Sequence, residues 1–256
     1  MPFLRIEQRD RIVILTMDHP ETRNALTGST AIEELVAACE RIDADMSVSV
    51  AILTGAGPVF SAGGNLKVMR EQLASPKPAE EVRNDYRTGI QRMTKAVYGL
   101  AVPLIGAING PAIGAGCDLA CMCDIRIAAD CASFAESFVR LGLVPGDGGS
   151  WLLPRAIGRS RAAELTFTGD AIDAGTAQAW GLISQVTPAS TLLEAALALA
   201  ERIARNDGAT LRAAKQLLRA SEHGRLESVL ELSAALQAIA HQSVAHRDSL
   251  QALLKK

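Results

Sequence analysis

Two glycine-bearing segments of this 256-residue chain have the composition to do chemistry: Phe60-Ser-Ala-Gly-Gly-Asn-Leu-Lys67 and Asn109-Gly-Pro-Ala-Ile-Gly-Ala-Gly-Cys-Asp118. Each follows an apolar run that reads as a buried strand, and each opens a helix. Small residues let the backbone come close to a ligand, and the unpaired N–H groups of a helix's first turn point outward with the positive end of the dipole behind them. One such turn suits a phosphate. Two turns from separate parts of the chain can converge on one developing oxyanion, which is what acyl-group chemistry requires. Taken singly, each segment also reads as tight strand-to-helix packing. Neither matches a Walker loop or a GxGxxG dinucleotide loop, because the spacing differs and no Lys-Ser/Thr pair follows.

Other chemistries have little raw material. The four histidines stand at 19, 223, 241 and 246, three of them in the C-terminal stretch, which leaves a serine-hydrolase triad poorly supplied. The five cysteines, at 39, 117, 121, 123 and 131, form no CxxC pair and have no histidine at ligand spacing. They read as small buried thiols, not as a metal site or a disulfide framework. No metal or separate cofactor is expected. A formal net charge of −2 gives no electrostatic footprint for nucleic acid or an anionic membrane. The opening Met1-Pro2-Phe3-Leu4-Arg5-Ile6-Glu7 lacks an apolar signal-peptide core, and no later apolar run is long enough to span a membrane. The expectation is a globular cytoplasmic protein whose 48% hydrophobic composition supports a well-buried core.

The elements that must position the two segments read as α/β. Residues 3–8 and 11–17 form a hairpin turning at Arg9-Asp10, with a further turn at Asp18-His19-Pro20. Thr27 or Ser29 caps a helix to about Asp43, with Ile32, Leu35, Val36 and Cys39 on one face. Val48–Thr54 is a strand, Pro103–Asn109 another, Gly114–Cys123 a helix, and Ile125–Ala129 a strand, so partly parallel pairing follows. Two prolines break the pattern across Ala74–Glu81. From about Ser160 the chain turns to Ala/Leu-rich helices over 192–204, 209–220 and 226–254, and no strand is needed there. The last helix is long enough to pack either on a neighbouring subunit or back on its own domain.

A long series of motifs resembles one family, the crotonase superfamily of enoyl-CoA hydratases and isomerases. The matching text is Asn24-Ala-Leu26, Ile52-Leu-Thr-Gly55, Phe60 to Lys67, Pro103 to Asp118, Cys123-Asp-Ile-Arg-Ile-Ala128, Leu141 to Gly149, Leu153-Pro-Arg155 and Thr168-Gly169. The motifs occur in the family's order. The resemblance implies a crotonase-like spiral of repeated ββα units over residues 1–190, carrying an acyl-CoA site. A C-terminal helical oligomerisation region over 191–256 would form a homotrimer or a dimer of trimers. By position, the oxyanion donors would be the N–H groups of Gly64 and Ala115. The CoA site would draw on Thr22, Arg23 and Ala25 and on Ala62, Gly63, Asn65, Leu66 and Lys67. Arg23 and Lys67 could serve as phosphate-reaching cations or as solvated surface charges.

The sequence departs from the hydratase pattern at the acid–base pair. Hydration of a conjugated double bond needs a carboxylate to activate water and an acid to protonate Cα. Asp118 stands at the first of the family's two glutamate positions, and Phe138 at the second. Three carboxylates are candidates: Asp118, near the start of the helix that forms half the oxyanion hole; Asp147, in Pro145-Gly-Asp-Gly-Gly149; and Glu136, two residues before Phe138 and on its face if the segment is extended. Phe138 would make the acyl pocket apolar and raise the pKa of a carboxylate it covers. The leading expectation is a hydratase converting a 2-enoyl-CoA to a 3-hydroxyacyl-CoA. A double-bond isomerase with a single carboxylate base is the close rival. A non-catalytic acyl-CoA binder would keep the glycine turns and dispense with the acids. A thioesterase or dehalogenase would use Asp147 as its nucleophile.

Overall fold

The computed structural model describes residues 2–255. The chain begins with strands β1 (Leu4–Arg9) and β2 (Ile12–Met17), a short 3-10 turn (Pro20–Thr22), helix α1 (Ala31–Ala44) and strand β3 (Val50–Gly55). Three helices follow, α2 (Leu66–Ala74), α3 (Ala79–Thr88) and α4 (Ile90–Gly99), and then β4 (Leu104–Ile108), β5 (Ala112–Ile113), α5 (Ala115–Met122), β6 (Ile125–Ala129) and β7 (Ser133–Ala135). After a 3-10 turn at Ser137–Leu141 come α6 (Gly149–Ile157), α7 (Arg159–Thr168), β8 (Ala171–Asp173), α8 (Ala174–Trp180) and β9 (Gln185–Thr187). The C-terminal helices are α9 (Leu192–Ala204), α10 (Gly208–Ser221), α11 (Leu226–Gln242) and α12 (Val244–Leu254).

The main sheet runs β1-β2-β3-β4-β6-β9, antiparallel only at the β1–β2 hairpin and parallel elsewhere. A parallel sheet is covered on both faces, so its strands are near-continuous apolar runs with side chains alternating between two cores. Val13, Leu15, Ala51, Leu53, Leu104 and Ile108 enter the large core with α1, α4 and α5. Ile12, Ile14, Val50, Ile52, Ile105, Ala107 and Ile127 enter the other, covered by Leu192, Ala196 and Ala200 of α9. A smaller sheet, β5-β7-β8, stands beside the main one, and a parallel bridge from Ser61 to Ala112 connects the first glycine segment to it.

The hairpin, the early strands and α5 fall close to the expected bounds. Helix α1 starts later than expected: Thr30 is its N-cap, the Ser29 hydroxyl accepts the Ala31 N–H, and Thr27 is used elsewhere. Two expectations for the second half are corrected. Strands do occur beyond Ser160, because β8 pairs antiparallel with β7 and β9 adds a parallel edge to β6. Each is three residues long, too short for a period to show. The single helix expected over 226–254 is two helices, divided at Ser243, whose backbone is extended (φ −72°, ψ 149°) and whose side chain caps α12 by accepting the His246 N–H.

Candidate active site

The two glycine segments meet. Ile113 N donates to Ser61 O, and a methyl group added to Gly63 would overlap Ile113 O and stand 2.9 Å from Ala115 N. Gly63 has φ +74° and Gly114 φ +53°, left-handed conformations that release the chain from the sheet just before each helix. Among the described residues neither the Gly64 N–H nor the Ala115 N–H has a protein acceptor. Ala115 is the first residue of α5, where no intrahelical partner is possible. Both residues line one cavity of about 190 Å³, together with Thr27, Met69, Tyr86, Phe138, Leu143 and Asp147.

The turn at 22–26 completes this region. Asn24 holds it: its buried side chain accepts the His19 N–H and donates to Ala56 O, Val59 O and Phe60 O. Arg23 and Asn24 both have positive φ, 57° and 53°. The turn bonds directly to the first glycine segment through Ala62 N to Arg23 O, Leu26 N to Gly63 O and Ser61 Oγ to Asn24 O. Thr27 Oγ1 accepts the Asn65 N–H, and Asn65 caps α2 by accepting the Lys67 N–H. Thr22, Arg23, Ala25, Ala62, Gly63, Asn65, Leu66 and Lys67 are therefore one continuous patch of backbone, with the Leu66 and Lys67 side chains exposed.

The three candidate carboxylates separate. Asp147 is 6% exposed and lines the cavity that Gly64 and Ala115 line. Helix α4 holds its loop, with Thr94 Oγ1 donating to Asp147 O and Gln91 Nε2 to Gly146 O. Burial, reinforced by the charge of Asp118, raises its pKa from 3.8 to about 7. Asp118 and Glu136 are 0% exposed and do not line that cavity. The extended segment ends at Ala135 and Phe138 lies in the 3-10 turn, so Glu136 and Phe138 do not share a face as expected: Phe138 lines the cavity and Glu136 lies beneath it. Phe138 Cζ would stand 3.6 Å from a methyl group on Gly114, against the start of α5.

Tyr86 is a site residue that sequence reasoning missed. It lines the cavity, its ring would touch a methyl group on Gly146 at 2.8 Å, and burial and the Asp147 charge raise its pKa. The stretch from 66 to 99 breaks into three short helices, and no motif marks which side chain turns inward. Four cysteines are buried as read, Cys131 is exposed instead, and burial pushes Cys39 and Cys123 up to about 12. Among the described residues no group of three His, Cys, Asp or Glu could hold a metal ion, and no helix is long and apolar enough to cross a membrane.

A two-sheet α/β fold whose strand-to-helix turns converge on an apolar cavity with a buried carboxylate is an acyl-transfer or enolate site in outline. Comparison with known proteins makes the class specific. The enoyl-CoA hydratase/isomerase family model matches residues 7–256. The 2,3-dehydroadipyl-CoA hydratase of Escherichia coli K12 is 36% identical over 256 residues, covering 100% of this chain and 97% of that protein. The 1,2-epoxyphenylacetyl-CoA isomerase of the same organism is 34% identical over 258 residues, again covering 100% and 97%. The crystal structure of an enoyl-CoA hydratase from Bacillus anthracis superposes with a TM-score of 0.91 at 32% identity, covering 99% of this chain and 96% of that one. The chain belongs to the enoyl-CoA hydratase/isomerase family, and it has the crotonase fold. It is an enzyme of that family, acting on acyl-CoA thioesters.

Proposed function

We propose that this enzyme holds the thioester oxygen of a 2-enoyl-CoA between the N–H groups of Gly64 and Ala115 and hydrates the double bond with Asp147 as its acid–base group. The observation that carries the reading is that Asp147 is the buried carboxylate lining the cavity these two free N–H groups share, whereas Asp85, which also lines it, is exposed and paired with Lys77. As a water oxygen bonds Cβ, its proton passes to the Asp147 carboxylate and the double-bond electrons move onto the thioester oxygen. The resulting enolate is stabilised by the two N–H groups, and the proton returns from Asp147 to Cα, leaving the 3-hydroxyacyl-CoA. A carboxyl group with a pKa of about 7 is near balance between giving and taking that proton at neutral pH. The full-length similarity to a hydratase supports this product.

Double-bond isomerisation is the second reading, favoured by Phe138 and by the absence of Asp118 and Glu136 from the lining of the cavity that Asp147 lines. The same base would take a proton from Cα of a 3-enoyl-CoA and return it to Cγ. Following the absorbance of the conjugated thioester separates the two: loss with crotonyl-CoA reports hydration, and gain with 3-hexenoyl-CoA reports isomerisation. No change with either substrate refutes both. In this reading CoA would lie along the backbone patch of 22–25 and 62–67, with Arg23 and Lys67 as the cations for its phosphates. Helices α11 and α12 bury none of their side chains and expose Leu226, Leu230, Ile239, Val244, Leu250, Leu253 and Leu254, which supports self-association into trimers through the 191–256 region. Light scattering coupled to size exclusion tests the trimer, and a monomeric mass would refute it. A cytoplasmic location completes the reading, tested by fractionation.

A further inference from the structure

Beneath the cavity, two carboxyl groups lie where no solvent reaches. Asp118 comes from α5 and Glu136 from the end of β7, and both are 0% exposed. As carboxylates they are acceptors only, and none of their four oxygens finds a hydrogen-bond donor in good geometry among the described residues. Both approach the N-terminus of α6 at one point: a methyl group on Gly149 would overlap Asp118 Oδ1 and lie 2.7 Å from Glu136 Oε1. The two groups are thus close to one another, and one proton would supply the donor that both lack. Two unscreened negative charges at this distance would be strongly unfavourable.

We infer that Asp118 and Glu136 share one proton, carried by Glu136 and donated to Asp118, and that the single negative charge left on Asp118 is a positioning charge that sets the protonation of Asp147. The proton belongs on Glu136 because Asp118 is the group lying against the first turn of α6, where the free N–H groups and helix dipole favour the anion. Burial and the neighbouring Asp118 charge push Glu136 well above the carboxylate range, in agreement. Asp118 is raised by burial, while its approach to Glu136 and to the Gly149 N–H pulls it down. The other titratable or charged groups around this assembly are Tyr86 and Asp85 on the cavity wall, Arg83 and Arg87 beyond Tyr86, and Cys117 and Cys121 on α5. Asp85 is paired with Lys77. Asp147 stands two residues before Gly149, the point Asp118 approaches, and is raised first by burial and then by the Asp118 charge. In this arrangement Asp118 does not touch substrate. It keeps Asp147 able to hold a proton at neutral pH.

The inference rests on Asp147 being the acid–base group, and two measurements keep the two claims apart. The first is the pH profile of kcat/KM. Asp118→Asn removes the charge and should move the acidic limb down by about one pH unit, whereas Glu136→Gln, replacing a group already neutral, should leave the limb in place. An unmoved limb in Asp118→Asn, or an equal movement in Glu136→Gln, overturns the assignment. The second is the infrared carbonyl band of a protonated carboxyl group at pH 9, read on the wild-type protein whether or not any variant folds. It should be present in the wild type and in Asp147→Asn, and lost in Glu136→Gln. Absence of the band from the wild type overturns the shared proton even if Asp147 proves essential. Full activity in Asp147→Asn instead refutes the acid–base role while the band still reports on the pair.

Discussion

Replacing Asp147 by Asn should make the protein more stable and less active at once. The native carboxyl group has its pKa raised from 3.8 to about 7. The folded state therefore holds a proton between these values that the unfolded chain has released, and stability falls as pH rises through that window. Stability from this group is fully present below about pH 4 and is lost by the time pH passes 7. Each pH unit is worth about 1.4 kcal/mol, so a rise of about three units makes the ionised carboxylate cost about 4 kcal/mol at pH 8. Asn cannot ionise, so Asp147→Asn should escape this loss. Urea unfolding of both proteins at pH 5 and pH 8 gives the double difference, in which slopes due to other buried groups, Glu136 among them, cancel. The variant should gain about 2–4 kcal/mol relative to wild type between the two pH values, while kcat falls by roughly 10²–10⁴. If the two proteins lose stability in parallel from pH 5 to pH 8, Asp147 is not a strained buried acid and the reasoning fails.

Four further outcomes follow from the same geometry. With Asp147 acting as base, kcat/KM of the wild type should rise with pH and reach half its plateau near pH 7, and a profile flat from pH 5 to pH 8 would contradict this. Gly64→Pro deletes one oxyanion donor, and the added Cβ meets the flexible end of Met69; kcat should fall by about 10²–10³, with little change in the calorimetric affinity for a saturated acyl-CoA. Gly149→Ala places a methyl group onto Asp118 and Glu136, so the urea midpoint should drop by the equivalent of about 1–3 kcal/mol; a neutral result would show that the carboxyl pair has room to move. Asn24→Ala leaves Ala56 O, Val59 O and Phe60 O without their donor and should cost about 2–4 kcal/mol in the same assay, with near-wild-type stability arguing against the clamp.

Much of this protein was legible from the chain alone. Parallel strands buried on both faces are apolar throughout, so β2, β3, β4 and β6 announced themselves, and the glycines at the two helix-opening turns are required by backbone conformations open to few other residues. Because Gly64 and Ala115 would act through main-chain N–H groups, their placement followed from where the chain turns, and the family followed from motifs that such turns keep in order. Side-chain acid–base chemistry was another matter. Asp118, Glu136 and Asp147 are chemically alike on paper, and a place in a glycine-rich loop says nothing about which way a carboxyl group faces. Only packing separated them: the 3-10 turn after Ala135 sends Phe138 to the cavity and leaves Glu136 below it, and α6 closes over Asp118, while α4 holds the Asp147 loop against the cavity. The strands β8 and β9 and the inward turn of Tyr86 were likewise decided by long-range neighbours, while the break at Ser243 is a local cap on His246 N–H. Local sequence determines where a backbone can bend and which residues avoid water; which of several equivalent acids keeps access to a substrate depends on segments far apart in the chain.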